Sequence, residues 1–234
     1  MVRIECILFG QSNRVDNKKL LLLVGPQGSG NHMYSKVFEL HPEVFGWKEL
    51  NETYWVAHDL EPFNKFWNNP SEWNTADFGN YKYACVSISV PYVQNGVTTI
   101  PPFKEFINGA TKNGWSVQVA IIGRDKNILE AQQERLRSRV TYMHMLEAID
   151  QQLGNLNPDY ISHEMLCLYE HRYLKYLSKI LDFPIAYDNP LINEILKANA
   201  NAKYVSPVEE TELDRIARAK IQEHATPGTE WWSK

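Results

Sequence analysis

The 234-residue chain has few cysteines, no excess of positive charge and no long apolar run. Its three cysteines, Cys6, Cys85 and Cys167, are odd in number and widely spaced, each in an apolar stretch. That pattern argues against a disulfide framework and predicts buried free thiols in a reducing compartment. Lysine and arginine total 24 against 28 aspartates and glutamates, a formal net charge of −4. With no basic cluster, neither nucleic acid nor an acidic membrane surface is an expected partner. The longest apolar run, Leu20–Val24, falls far short of the roughly 20 residues that span a bilayer. The first ten residues carry no secretory pattern, so a cytoplasmic location is expected. The histidines show no metal-ligand spacing with cysteines or carboxylates, and no metal is expected.

What is present begins at that same run. Leu20-Leu21-Leu22-Leu23-Val24 leads directly into Gly25-Pro26-Gln27-Gly28-Ser29-Gly30-Asn31-His32, and a helical pattern follows from Met33 to Leu40. Buried strand, glycine-rich loop and helix together make a phosphate cradle. Glycines let the backbone approach an anion, and the N–H groups of the helix start point at it with a favourable dipole. The loop nearly matches G-x4-G-K-[ST], with Gly25 and Gly30 in place. Asn31 stands where that pattern has its lysine, and His32 where it has the magnesium-binding hydroxyl. The reading is a cradle without the metal-dependent part of nucleotide hydrolysis; the alternative is a glycine turn with no ligand.

Strand and helix patterns alternate along the rest of the chain. Strands are expected at Arg3–Phe9, Val44–Lys48, Tyr83–Val90, Ser116–Ile122 and Asp159–Ser162. Helices are expected at Phe103–Lys112, from Asp125 to about Leu153, at Glu164–Leu181, Pro190–Asn199 and Pro207–Glu223. Gln11–Asn17 reads as a polar connection, and Asn51–Trp73 as an irregular, aromatic-rich segment whose rings mostly pack. The fold class is therefore α/β, in three layers around a central, mainly parallel sheet with helices on both faces. Ligands in such folds bind at the carboxyl ends of the strands, where Gly25, Lys48, Ser89, Arg124 and His163 fall.

Several of these segments together resemble sulfotransferases that use 3′-phosphoadenosine 5′-phosphosulfate (PAPS). Their loop reads like G-P-Q-K-[ST]-G-T-T, against Gly25-Pro-Gln-Gly-Ser-Gly-Asn-His32 here. A His-Pro-hydrophobic step leading to Lys-Glu is matched by His41-Pro42-Glu43-Val44 and Lys48-Glu49. The family's Arg-x-P-x-D after a strand is similar to Arg124-Asp125, and its [IV]-x-Y-E-x-L to Ile161-Ser-His-Glu164-Met-Leu166. The matches keep their order over residues 20–184. The resemblance implies a P-loop fold forming one sulfotransferase-like domain over 1–234, with 20–184 as core and 185–234 as a helical extension and tail. It implies PAPS as co-substrate, held by Gly25, Pro26, Gln27, Gly28, Ser29, Gly30, Asn31, His32, Arg124 and Gln132, and a small-molecule or glycan acceptor. Lys48 and His32 are the residues expected to supply charge at the reacting group.

The sequence departs from the family at several of these places. The loop lysine falls at Gly28, the serine eight residues after the arginine is Gln132, and the histidine base maps to Ser89. A hydroxyl does not take a proton near neutral pH, so Ser89 is no general base. Arg124, after a strand and before a helix, is placed to grip a phosphate; ion pairing with Asp125 or Glu130 is the alternative. His58-Asp59 is an acceptor-site idea, and Trp231-Trp232 an idea for capping the cleft. Three functions compete: sulfuryl transfer, binding of a nucleotide or partner without turnover, and a metal-dependent kinase or NTPase, which Asn31 and His32 disfavour.

Overall fold

The computed structural model describes residues 18–52, 60–94, 97–137 and 139–197. In chain order the elements are β1 (Lys18–Pro26), α1 (Asn31–Glu39), β2 (Val44–Phe45), α2 (Asn64–Asn68), β3 (Tyr83–Val90), β4 (Tyr92–Gln94) and β5 (Val97–Thr99). They continue with α3 (Phe103–Lys112), β6 (Trp115–Gly123), α4 (Lys126–Arg137), α5 (Met143–Ala148), β7 (Asp159–Ser162), α6 (His163–Ile180) and α7 (Leu191–Lys197). The chain divides into two compact units, Met1–Asn189 and Pro190–Lys234; of the second, α7 is the described helix.

Five strands form one sheet in the order β2-β3-β1-β6-β7, and every neighbouring pair is parallel. Leu22 of β1 lies between Val86 of β3 and Val119 of β6, at the centre of the sheet. A strand covered on both faces has to be apolar throughout, which is why Leu20–Val24 reads as an unbroken run. All five side chains are fully buried, each worth about 1.5–3 kcal/mol relative to exposure. Leu20, Leu22 and Val24, with Ala84, Val86 and Ile88, meet an aromatic layer of Phe63, Phe66, Trp67, Trp73, Phe103 and Phe106. Within it, Trp67 stacks on Phe106 with ring centroids 3.7 Å apart, and Phe66 on Trp73 at 4.2 Å. Phe63, Phe66, Trp67 and Trp73 are packing, as expected of the segment Asn51–Trp73.

The other face of the sheet carries α1. Alternation along β3 turns Cys85, Ser87 and Ser89 towards it, and Ser35 Oγ donates to Ser87 Oγ at 2.7 Å. Because β1 runs up the sheet and α1 back down it, the loop between them sits at the carboxyl edge. The winding reverses beside β1: β2 and β3 lie to one side, β6 and β7 to the other. Such a reversal is where open α/β sheets bind their ligands.

Four expectations are corrected. The long helix through Leu153 is broken: α4 ends at Arg137, α5 starts at Met143, and the chain continues as a π-helical turn, Ile149–Leu153. The break has a physical reason, since the N–H groups of Thr141 and Tyr142 donate to Gln133 Oε1 rather than to helix carbonyls. The strand at Val44 lasts two residues before the chain turns into a 3₁₀ turn, Lys48–Asn51. Cys85 is buried as expected, but Cys167 is an exposed thiol. Finally, the helix over residues 164–181 is present as α6, but the backbone leaves helical geometry at Glu170, with φ 44° and ψ −121°. The antiparallel pair β4–β5 went unanticipated, although Asn95-Gly96 is a strong hairpin signal. The expected strand Arg3–Phe9, the connection Gln11–Asn17, the helix Pro207–Glu223, Cys6, Trp55, His58-Asp59 and Trp231-Trp232 lie outside the described residues. No described helix is long and apolar enough to cross a membrane.

Candidate functional site

The loop after β1 is shaped by its glycines. Ser29 N–H closes a tight turn onto Pro26 O at 3.0 Å. Gly28 and Gly30 sit at φ 92° and 101°, a region that residues with a Cβ rarely enter. Gly30 is the N-cap of α1, and no side chain caps that helix. Its first amide N–H groups have no partner inside the helix, and the dipole adds partial positive charge where they emerge. An anion is the natural complement.

The loop's own short side chains point inward. Asn31 Nδ2 donates to Ser89 Oγ at 2.7 Å, Ile88 O at 3.3 Å and Gly25 O at 3.4 Å. Its Oδ1 accepts from Ser29 Oγ at 3.4 Å, and both residues are buried. Asn31 thus ties the carboxyl ends of β1 and β3 together from the position where a Walker loop has its lysine. Gln27 Nε2 donates to Pro91 O at 2.8 Å. Gln133 of α4 is fully buried, and its Nε2 donates to Gln27 O at 2.7 Å. These bonds fix the side chains of Gln27, Ser29 and Asn31 within the loop.

Arg124 is delivered by the turn from β6 into α4. Asp125, next to it, caps α4 by accepting Ile128 N–H at 3.0 Å, and its own N–H donates to Glu164 Oε1 at 2.9 Å. Arg124 Nη1 donates to Gly28 O and, at 2.8 Å, to Gln132 Oε1. The guanidinium therefore lies against the loop, while Glu130 pairs with Lys126 at 3.6 Å. Gln132 is buried beside Gly28, with Oε1 3.0 Å from where a Cβ would stand. The structure thus brings Gly28, Arg124 and Gln132 together.

Lys48 is placed elsewhere. Its Nζ donates to Glu39 O and, at 3.2 Å, to His41 O, both at the carboxyl end of α1. With 1.5 Å of rise per residue, that end is about 12 Å from the helix start. The structure therefore does not bring Lys48 to the loop. His32 is half-buried, its ring 5.5 Å from that of Trp47 at a tilt of 44°. Beside Lys48 lies the buried carboxylate of Glu39, and near Glu39 the buried carboxylate of Glu61. Burial raises Glu39 to about 8, against a smaller opposing pull from the Trp47 amide and Lys48. Burial, and then Glu39, hold Glu61 well above the usual carboxylate range. Burial likewise lowers Lys48, with Glu39 opposing it.

Two further residues meet at the loop. Ser89 accepts the Asn31 amide, which leaves its own hydroxyl proton available. His163, the first residue of α6, packs its ring on Gly30; the sequence signals for it are its position just past a strand end and its place in Ile161-Ser-His-Glu164-Met-Leu166. No group of three or more His, Cys, Asp or Glu able to hold a metal occurs among the described residues.

No family model matches the chain, and no curated protein matches it. Among solved structures, the Deinococcus radiodurans tunicamycin resistance protein is similar, with a TM-score of 0.44 and 14% identity over 72% of this chain and 98% of that one. Mouse sulfotransferase SULT7A1, solved with PAP, is similar with a TM-score of 0.40 and 15% identity over 77% of this chain. Retinol dehydratase, solved with androsterone and inactive cofactor PAP, is similar with a TM-score of 0.34 and 10% identity over 76%. The chain spans 63% of the length of each of the last two.

Proposed function

We propose that the chain is a PAPS-dependent sulfotransferase-like protein that moves a sulfuryl group to a hydroxyl or amine of a small-molecule or glycan acceptor. The observation that carries this reading is the uncapped start of α1, in a glycine loop, with the Arg124 guanidinium laid against the loop. That arrangement suits the phosphate groups of a nucleotide, and it holds them without a metal. Asn31, engaged at 2.7 Å with Ser89, occupies the place of the lysine that an NTPase needs, which disfavours kinase chemistry.

In the proposed reaction, the acceptor atom bonds to sulfur as the bond from sulfur to the 5′-phosphate oxygen breaks. The chain's part is to orient the donor and to stabilise the charge gathering on the leaving phosphate. The N–H groups of the loop and α1, together with Arg124, do this as preorganised donors. The protein is proposed to work in the cytoplasm. The test is incubation with radiolabelled PAPS, a chelator and a panel of hydroxyl and amine acceptors; label in any acceptor supports transfer.

Binding without transfer is a second reading, favoured by one observation. Lys48 is held on the carbonyls of Glu39 and His41 rather than at the loop. No labelled product, with the nucleotide still bound, would select it.

A further inference from the structure

His163 stands at the junction of β7 and α6, facing the start of α1. The residue is 6% exposed, and its Nδ1 is buried without a hydrogen-bond partner. That nitrogen lies 2.5 Å from where a Cβ on Gly30 would stand, so the ring edge rests on the open face of the α1 N-cap. Its other nitrogen, Nε2, is 3.7 Å from Cys167 Sγ. Partial desolvation raises the otherwise exposed Cys167 thiol, which therefore keeps its proton and has an S–H to give. If Nε2 accepts that proton, the ring's own hydrogen sits on Nδ1. Burial and then Arg124 lower His163 to about 4, with Glu164 opposing, so the ring is neutral near pH 7.

A buried donor without an acceptor costs about 1–3 kcal/mol. Glu164 apart, the groups gathered on the loop side of this one share its polarity. The amides at the start of α1 are donors, the Arg124 guanidinium on Gly28 O is a cation, and Nδ1–H is a third donor. An oxyanion is the chemical complement of all three.

We propose that His163 is a ligand-contact residue of the loop, its neutral Nδ1–H donating to an oxygen of the phosphate or sulfate group held at the start of α1. The inference rests on the loop being an anion site, as in the proposed function. It adds a contact from the carboxyl end of β7, and one that carries no charge. A neutral donor aimed at an oxyanion discriminates by geometry without holding the ligand as an ion pair would.

The experiment uses the full chain with imidazole ¹⁵N labelling, and two probes, sodium sulfate and adenosine 3′,5′-bisphosphate. The expected result is an Nδ1-protonated ring at pH 7 whose Nδ1 resonance moves as either probe saturates. Affinities are then compared for wild type, His163→Asn and His163→Leu, each checked for native circular dichroism. Asparagine keeps an N–H near the Nδ1 position and should bind within about threefold of wild type. Leucine should weaken both probes by about tenfold, the loss of one hydrogen bond. An Nε2-protonated ring, an Nδ1 resonance that ignores both probes, or undiminished binding by a folded leucine variant overturns the proposal. In those cases a bisphosphate that still binds leaves the sulfotransferase reading intact. Sulfate that binds and moves Nδ1 while the bisphosphate does neither supports His163 and counts against the nucleotide. Failure of both probes on wild type overturns both.

Discussion

Arg124 and Gly28 are joined through a side-chain donor and a main-chain acceptor, and each makes a separate prediction. Arg124→Ala removes a guanidinium bonded to the loop backbone at Gly28 O, whereas Arg135 is exposed on α4. Calorimetric titration with adenosine 3′,5′-bisphosphate should show a loss of about 1.5–3 kcal/mol for Arg124→Ala and little change for Arg135→Ala. Equal losses would place the phosphates elsewhere. Gly28→Lys would restore the lysine of the resembled loop, but Gly28 has φ 92° and Gln132 Oε1 stands 3.0 Å from the new Cβ. The substitution should destabilise the fold by roughly 1–3 kcal/mol, read from denaturant melts, without raising sulfuryl transfer. A stable variant with faster transfer would refute this. Asn31 marks the limit of legibility at this scale. Its identity excluded a Walker lysine from sequence, but its inward bonds depend on Ile88 and Ser89 of β3, 57 and 58 residues later in the chain, and the pairing of β3 with β1 is set by tertiary packing.

At the level of elements, the loop is held in place by α4. Gln133 bonds Gln27 O, Thr141 N–H and Tyr142 N–H from one fully buried amide. Gln133→Leu leaves those buried backbone groups without their partner, at about 1–3 kcal/mol for each group left unsatisfied. The expected outcome is a marked fall in melting temperature and weaker nucleotide binding, since the loop and the turn before α5 loosen together. An unchanged melt would mean the turn does not need this clamp. The strands Tyr83–Val90 and Asp159–Ser162 were legible with their ends, because β-branched and apolar runs stop at proline or at a capping serine. The break between α4 and α5 was not. Residues 126–153 keep helical composition throughout, and what interrupts them is the Gln133 side chain, which takes the N–H groups of Thr141 and Tyr142 in a way that helical periodicity does not record. The same applies to Lys48: its neighbourhood in sequence suggested the site, whereas its stem reaches back to the carbonyls at the end of α1.

Across the whole molecule, buried titratable groups tie stability to pH. Glu39 keeps its proton in the folded chain up to about pH 8, against an ordinary value of 4.5. Between those values the folded state holds more protons than the unfolded one, so stability is full below the lower value and falls as pH rises. The slope is at most about 1.4 kcal/mol per pH unit for one group, and Glu61 acts in the same direction. His163 acts in reverse: lowered from 6.5 to about 4, it contributes stability that is lost as pH falls through that window. Glu39→Gln keeps an acceptor for the Trp47 amide while removing the charge. It should therefore reduce the loss of melting temperature between pH 6.5 and 8; an unaltered slope would mean that Glu39 is ionised in the fold. The central claim concerns the loop, and it is tested most directly by titrating adenosine 3′,5′-bisphosphate into the full chain with chelator present, beside ATP with magnesium. Saturable binding of the bisphosphate without metal is the predicted result, with stabilisation of about 2.7 kcal/mol at a hundredfold excess over Kd. Tight, magnesium-dependent binding of ATP, with none of the bisphosphate, would contradict it.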